Sequence, residues 1–155
     1  MTQLPETKQH KENVSNDDEL LEFALKEFDS FGKAANFTRI LAGFLPVSAK
    51  RDVLTCEFTV TTPHLNGKEK LHGGQSLTII DVVTSRAISL TQRNRAKASL
   101  ELSASYLLPI SSGDEIIVIA RVLHIDSKTA YSECELRRKN DGALCVLGKH
   151  TMAFL

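Results

Sequence analysis

Between residues 16 and 32, apolar side chains recur at Leu20, Leu21, Ala24, Leu25 and Phe28, the three-and-four spacing of one face of an amphipathic helix. Asn16 stands where it can cap that helix, with Glu19 three positions on, and Gly32 marks its end. Residues 1–15 are polar and without periodicity, so they are expected to be a disordered tail on a single domain spanning 16–155. Beyond Pro46 the period drops to two. Leu54, Cys56, Phe58 and Val60 alternate with Thr55, Glu57, Thr59 and Thr61, the pattern of a half-buried strand. Leu41–Val47 reads as a strand before it.

The stretch Gln75–Leu90 differs. Leu77, Ile79, Ile80, Val82, Val83, Ala87, Ile88 and Leu90 cover most of the circumference of a helix, which predicts burial nearly all round. Four strand-like runs follow: an alternation of Leu100, Leu102, Ala104 and Tyr106, then Ile116–Ile125, Ala130–Arg138 and Ala143–Phe154. The connectors Ser111-Ser112-Gly113-Asp114, Asp126-Ser127-Lys128-Thr129 and Lys139-Asn140-Asp141-Gly142 have hairpin-turn composition. The order helix, two strands, long buried helix, four strands predicts an α+β fold, a six-stranded antiparallel sheet wrapped around the long central helix.

Composition narrows the function. The 155 residues carry 19 Lys+Arg against 19 Asp+Glu, so the charge footprint expected of a nucleic-acid-binding protein is missing. No apolar run approaches the roughly 18 residues of a membrane span. Cys56, Cys134 and Cys145 lie too far apart for a zinc or redox doublet and read as reduced, buried thiols. The first residues show neither an apolar core nor an arginine-rich amphipathic pattern, so the expected location is the cytoplasm, with a mitochondrial destination lacking a readable signal as the alternative. His10, His64, His72, His124 and His150 show no metal-ligand spacing; His64 reads as a solvated loop residue and His150 as a strand-face one. Gly74-Gln75-Ser76-Leu77-Thr78 lacks the second glycine of a nucleophile elbow, and no dinucleotide fingerprint occurs. No metal and no cofactor are expected.

Asp81 is the residue that stands out, a carboxylate in the middle of the most apolar helix, where an unpaired charge is expensive. Gly73, Leu77, Asp81 and Ser85 share one helical face. The glycines at the helix start leave N–H groups open to an incoming oxygen, as an oxyanion hole does. Gly73 and Asp81 are eight positions apart, about 12 Å along the axis at 1.5 Å per residue, too far to meet at one carbonyl. A two-fold dimer with antiparallel helices would bring the Gly73 of one protomer to the Asp81 of the other and create two equal sites.

Leu65-Asn66, Leu71-His72-Gly73-Gly74, Asp81, Ser99-Leu100-Glu101, Tyr106-Leu107-Leu108-Pro109 and Gly113-Asp114 together resemble the hotdog-fold acyl-CoA thioesterases. More narrowly, they resemble the phenylacetyl-CoA thioesterase and thioesterase superfamily member 2 group. The resemblance covers about Asn36 to Met152 and implies the hotdog fold, a homodimer or a dimer of dimers, and an acyl-CoA substrate. It implies that Asn66 and the Gly73 amide polarise the thioester carbonyl, that Asp81 and Ser99 of the partner subunit orient and activate water, and that His72 supports the loop and the substrate. Asp81 acts either as general base or by direct attack, and both need an ionised carboxylate.

The resemblance further implies that Tyr106–Ser111, including Tyr106 and Pro109, and the turn His124–Thr129, with Lys128 and Thr129, line the coenzyme A arm. Strand alternation places Ser99 with Glu101, Ser103 and Ser105, on the face opposite Leu100 and Tyr106. Ile80, Thr84 and Ile88 are expected to set the depth of the acyl tunnel. Two other readings stay open: a hydratase acting on enoyl or 3-hydroxyacyl thioesters, and an acyl-CoA-binding module without turnover, since a fold alone does not fix a reaction.

Overall fold

A computed structural model describes residues 8–155, with side chains from Asn16 onward. Helix α1 (Lys8–Gly32) is followed by a 3-10 turn at Phe37–Leu41, strands β1 (Leu45–Lys50) and β2 (Val53–Thr59), and a second 3-10 turn at Thr62–His64. Helix α2 (Gly73–Ser89) then leads into β3 (Lys97–Tyr106), β4 (Glu115–Ile125), β5 (Thr129–Arg138) and β6 (Leu144–Phe154). Residues 1–7 of the expected tail lie outside the described residues. From Lys8 the backbone is already helical, so Asn16 lies inside α1 and does not cap it. Lys, Gln and Glu propagate a helix without an apolar stripe to announce it.

The strands form one sheet in the order β1-β2-β4-β5-β6-β3, every neighbouring pair antiparallel. The strand expected over Leu41–Val47 is displaced. Leu41 closes a 3-10 turn capped by Asn36, Gly43 reverses the chain at φ 88°, and extended backbone begins at Leu45. Gly43 supplies the left-handed conformation that a side chain disfavours, and this breaks the run.

Helix α2 packs across β2, β3, β4, β5 and β6, while α1 covers β1. Ile79, Ile80, Val83 and Ala87 meet Leu54, Cys56, Phe58, Ile116, Val118, Ala120, Cys134 and Leu136 in one core. Each fully buried large aliphatic side chain stabilises by about 1.5–3 kcal/mol. Gly148 sets the approach of helix to sheet: a Cβ there would lie 2.5 Å from Ile80 Cδ1. All three cysteines are free thiols in the interior, and burial raises the pKa of each.

Two expectations change at this level. Helix α2 is not buried all round, because Leu77, Asp81, Val82 and Ser85 on one side are only half covered. His64 is buried: its Nδ1 accepts from the Thr61 N–H at 3.0 Å and its Nε2 faces the Ile40 carbonyl at 3.3 Å. The loop folds back under β2, where His64 meets the Phe58 ring edge-on, and burial lowers its pKa. Among the described residues no helix is long and apolar enough to cross a membrane.

Candidate active site

Asn66 is the hinge of a tight loop between the second 3-10 turn and α2. Its Oδ1 accepts the N–H of Lys68 at 2.8 Å and of Lys70 at 3.2 Å, and its own N–H donates to the Lys70 carbonyl at 2.8 Å. With the side-chain oxygen committed, Nδ2 is the group left to donate. His72 is the N-cap of α2, its Nδ1 accepting from the Gly74 N–H at 2.9 Å. One of the two glycine amides is therefore consumed by the cap. That of Gly73, the first helical residue, has no backbone acceptor among the described residues, as helix geometry dictates.

Tyr106 at the end of β3 donates its hydroxyl to the Gly73 carbonyl at 2.8 Å. Asn66, Gly73, Tyr106 and Pro109 consequently share one cavity of about 550 Å³, walled by Leu71, Leu107, Leu108 and Ile110. The cavity is apolar with a few donors at one end, the composition of a small-molecule site.

Asp81 lies elsewhere, in a recess of about 230 Å³ between α2 and the start of β3 that also holds Ser85, Arg86, Lys97 and Ser99. Ser99 Oγ is 3.2 Å from Asp81 Oδ1 and 2.8 Å from His150 Nε2. His150 Nε2 is itself 3.5 Å from Asp81 Oδ1, and Nδ1 is 2.6 Å from Thr84 Oγ1. The His150 side chain is fully covered while that of Asp81 remains 43% exposed. Burial lowers the His150 pKa, and the Asp81 carboxylate pulls it the other way. Lys97 donates to Ser89 Oγ at 2.7 Å; burial and then the Arg86 charge lower its pKa against the opposing pull of Glu27.

Ser99 reaches this recess because of a bulge. Ser99 pairs with Met152 and Glu101 with Thr151, so Leu100 is an extra residue in β3. Ser99 therefore shares the helix-facing side with Leu102, which pairs with His150, and with Tyr106, while Leu100 is turned out and 62% exposed. A bulge inverts the alternation on one side of itself, which reverses the face expected for both residues.

Sequence reasoning missed His150 and misplaced Thr84. Ile80, Thr84 and Ile88 are fully buried inside the protomer and line neither cavity. The signal that could have found the pair is polarity out of place: Thr84 sits in the apolar stripe of α2 and His150 among the inward positions of β6. Lys128 lies in the β4–β5 turn and Thr129 opens β5, and Asp126 accepts both their N–H groups and the Thr129 hydroxyl; they do not line the Asn66 cavity.

Comparison with known proteins agrees with this architecture. The thioesterase superfamily profile matches residues 69–145. A Caenorhabditis elegans chain whose name calls it a candidate esterase is 42% identical over 89% of this chain and 82% of its own. Human acyl-coenzyme A thioesterase 13 is 33% identical over 77% of this chain and 85% of its own. The crystal structure of zebrafish thioesterase superfamily member 2 superposes with a TM-score of 0.84 at 27% identity, covering 87% of this chain and 98% of that one. The chain is thus a member of the thioesterase superfamily, built on the hotdog fold.

Proposed function

We propose that this protein hydrolyses acyl-CoA thioesters to the free acid and CoA, at sites shared between two protomers. The carrying observation is the division of the site into two halves at opposite ends of one edge strand. The Asn66–Gly73 cavity adjoins Tyr106 at the end of β3, and the Asp81 recess adjoins Ser99 near its start. Strand β3 ends the sheet, and such an edge presents unpaired N–H and C=O groups. Pairing β3 antiparallel with a second copy about a two-fold axis lays the start of one strand against the end of the other. Each cavity then faces the partner's recess, and the half-covered side of α2 meets its equivalent.

In this arrangement the thioester carbonyl accepts from Asn66 Nδ2 and the Gly73 N–H. Water held by the opposing Asp81 and Ser99 attacks the carbonyl carbon as Asp81 takes its proton. The two donors stabilise the tetrahedral oxyanion; the C–S bond then breaks, the electron pair leaves on sulfur, and the proton returns to the thiolate. The hydrolysis reading also draws on the names of the acyl-coenzyme A thioesterase 13 relatives. It is favoured over hydration of an enoyl thioester because the imidazole nearest Asp81, His150, is fully covered and cannot touch a substrate carbon.

Release of CoA thiol from short, medium, long and aromatic acyl-CoAs tests the reaction. Asp81→Asn is expected to retain the fold and lose at least about 100-fold in kcat; wild-type turnover would overturn the assignment. Gly73→Pro removes the N–H at the first helical position, where proline suits the backbone, and its Cβ presses on the Tyr106 hydroxyl as that of alanine would. Mixed Asp81→Asn and Gly73→Pro protomers should recover activity in heterodimers. Heterodimers that form without recovery would exclude the shared site.

A further inference from the structure

Asp81 meets Ser99, and further along α2 Ser89 accepts from Lys97, which precedes Ser99 in β3. Helix and strand therefore run antiparallel here, and the Asp81 recess extends toward their joined ends. Its far wall is cationic. Arg86 stands five residues beyond Asp81, about 7.5 Å along the axis at about 1.5 Å per residue. Lys97 is on the same side of β3 as Ser99, and both cations line the recess. The apolar part of the lining is small, consisting of Val82, Ala98 and Met152.

The two cations are not equivalent. Arg86 is neutralised by Glu27 at 2.8 Å, a residue of α1 outside the recess lining. Lys97 donates to Ser89 Oγ at 2.7 Å, and no ion pair among the described residues includes it. An ammonium has three donors, so Lys97 has donors to spare for a ligand. Burial and the Arg86 charge both disfavour the ammonium, and an anion beside it would favour it again. Asp81, the carboxylate of the lining, is engaged with Ser99 at the opposite end.

In the two-fold arrangement the CoA arm comes to Asp81 from the cavity of the partner subunit, so the acyl group passes Asp81 into this recess. An alkyl chain there would cover the Lys97 ammonium without pairing it, which is costly. A terminal carboxylate instead gains a charge-assisted hydrogen bond. The axial span of about 7.5 Å is about the reach of a five- or six-carbon chain at about 1.2 Å per bond. We infer that the preferred substrates are CoA thioesters of short dicarboxylic acids, with Lys97 binding the free carboxylate of the acyl group. The inference rests on the proposed hydrolysis of acyl-CoA at shared sites and names its substrate class.

Steady-state kinetics with glutaryl-CoA against pentanoyl-CoA, and adipoyl-CoA against hexanoyl-CoA, compare a carboxylate with a methyl group at equal chain length. In the wild type the ratio of kcat/KM, charged over neutral, is expected to exceed about 10. A smaller ratio would overturn the inference, while turnover of the neutral thioesters would leave hydrolysis standing. Lys97→Met keeps most of the side chain and removes the charge, and should lower the ratio at least about tenfold. A Lys97→Met enzyme that turns over pentanoyl-CoA and keeps the wild-type ratio would equally refute the role of Lys97. If neither class of thioester is hydrolysed, the hydrolytic reading fails on its own, and calorimetric binding of glutaryl-CoA and pentanoyl-CoA decides the charge preference. Tighter binding of glutaryl-CoA that Lys97→Met abolishes would support it; equal binding would overturn it.

Discussion

The Tyr106 hydroxyl donates to the Gly73 carbonyl at 2.8 Å, and a Cβ on Gly73 would stand 3.2 Å from that same hydroxyl oxygen. The end of β3 is thereby tied to the first residue of α2, with glycine as the spacer. Gly73→Ala is expected to push Tyr106 aside and lower kcat/KM by up to about 100-fold, the scale on which small displacements act. Adding Tyr106→Ala removes the obstruction and should recover part of the loss. Tyr106→Phe keeps the ring and loses one partly exposed hydrogen bond, about 0.5–1.5 kcal/mol of stability at most. Steady-state kinetics and urea denaturation of the three variants check these outcomes.

Asn66 uses its oxygen for the loop and has its nitrogen to spare. Asn66→Asp retains the acceptor for the Lys68 and Lys70 N–H groups, loses the donor and adds a negative charge beside the proposed oxyanion. It should fold like wild type and lose about 100- to 1,000-fold in kcat, the effect of deleting one oxyanion donor. Asn66→Ala also frees the loop, so it should add a fall in thermal midpoint that Asn66→Asp does not show.

Ile80 fills the space a side chain on Gly148 would occupy, with three of its atoms within 2.8 Å of where that Cβ would stand. Gly148→Ala is expected to destabilise by about 1–3 kcal/mol through overpacking. Ile80→Val alone should cost about 0.5–1.5 kcal/mol. Because Ile80→Val withdraws Cδ1, the atom nearest that Cβ, the double variant should be more stable than the sum of the single losses, which equilibrium denaturation measures directly.

His64 and His150 are both held below their ordinary pKa, chiefly by burial. The unfolded chain therefore binds more protons than the native state at mildly acidic pH. Stability is present in full above about 6.5, the unfolded histidine value, and falls as pH drops below it. Denaturation midpoints should decline from about pH 7.5 to about 5.5, the range that brackets that value, and His64→Asn should make that decline shallower. A flat profile would show that neither imidazole is kept neutral by folding.

Much of the architecture was legible because burial periodicity is local. The alternation over β2 and the four-residue recurrences in α1 were enough to place both elements, and the apolar density of Gln75–Leu90 identified the central helix. The run Leu41–Val47 misled because apolar character does not distinguish a 3-10 turn plus a left-handed glycine from a strand. Residues 8–15 bear no such mark, because helix propensity without an apolar stripe carries no periodic signal.

At the candidate site, residue type and spacing already name the ingredients: a carboxylate out of place at Asp81, an amide at Asn66, and a helix start at Gly73. They also dictate that Gly73 and Asp81 cannot meet within one helix, since rise per residue is fixed. That Ser99 faces Asp81 emerges with the tertiary structure, because a single extra residue at Leu100 inverts a strand's alternation and leaves no mark in composition. Only it joined His150 and Thr84, 66 positions apart, since hydrogen bonds between distant segments depend on strand register and helix rotation. Those are set by the packing of the whole core, such as Ile80 against Gly148, and not by the residues that use them.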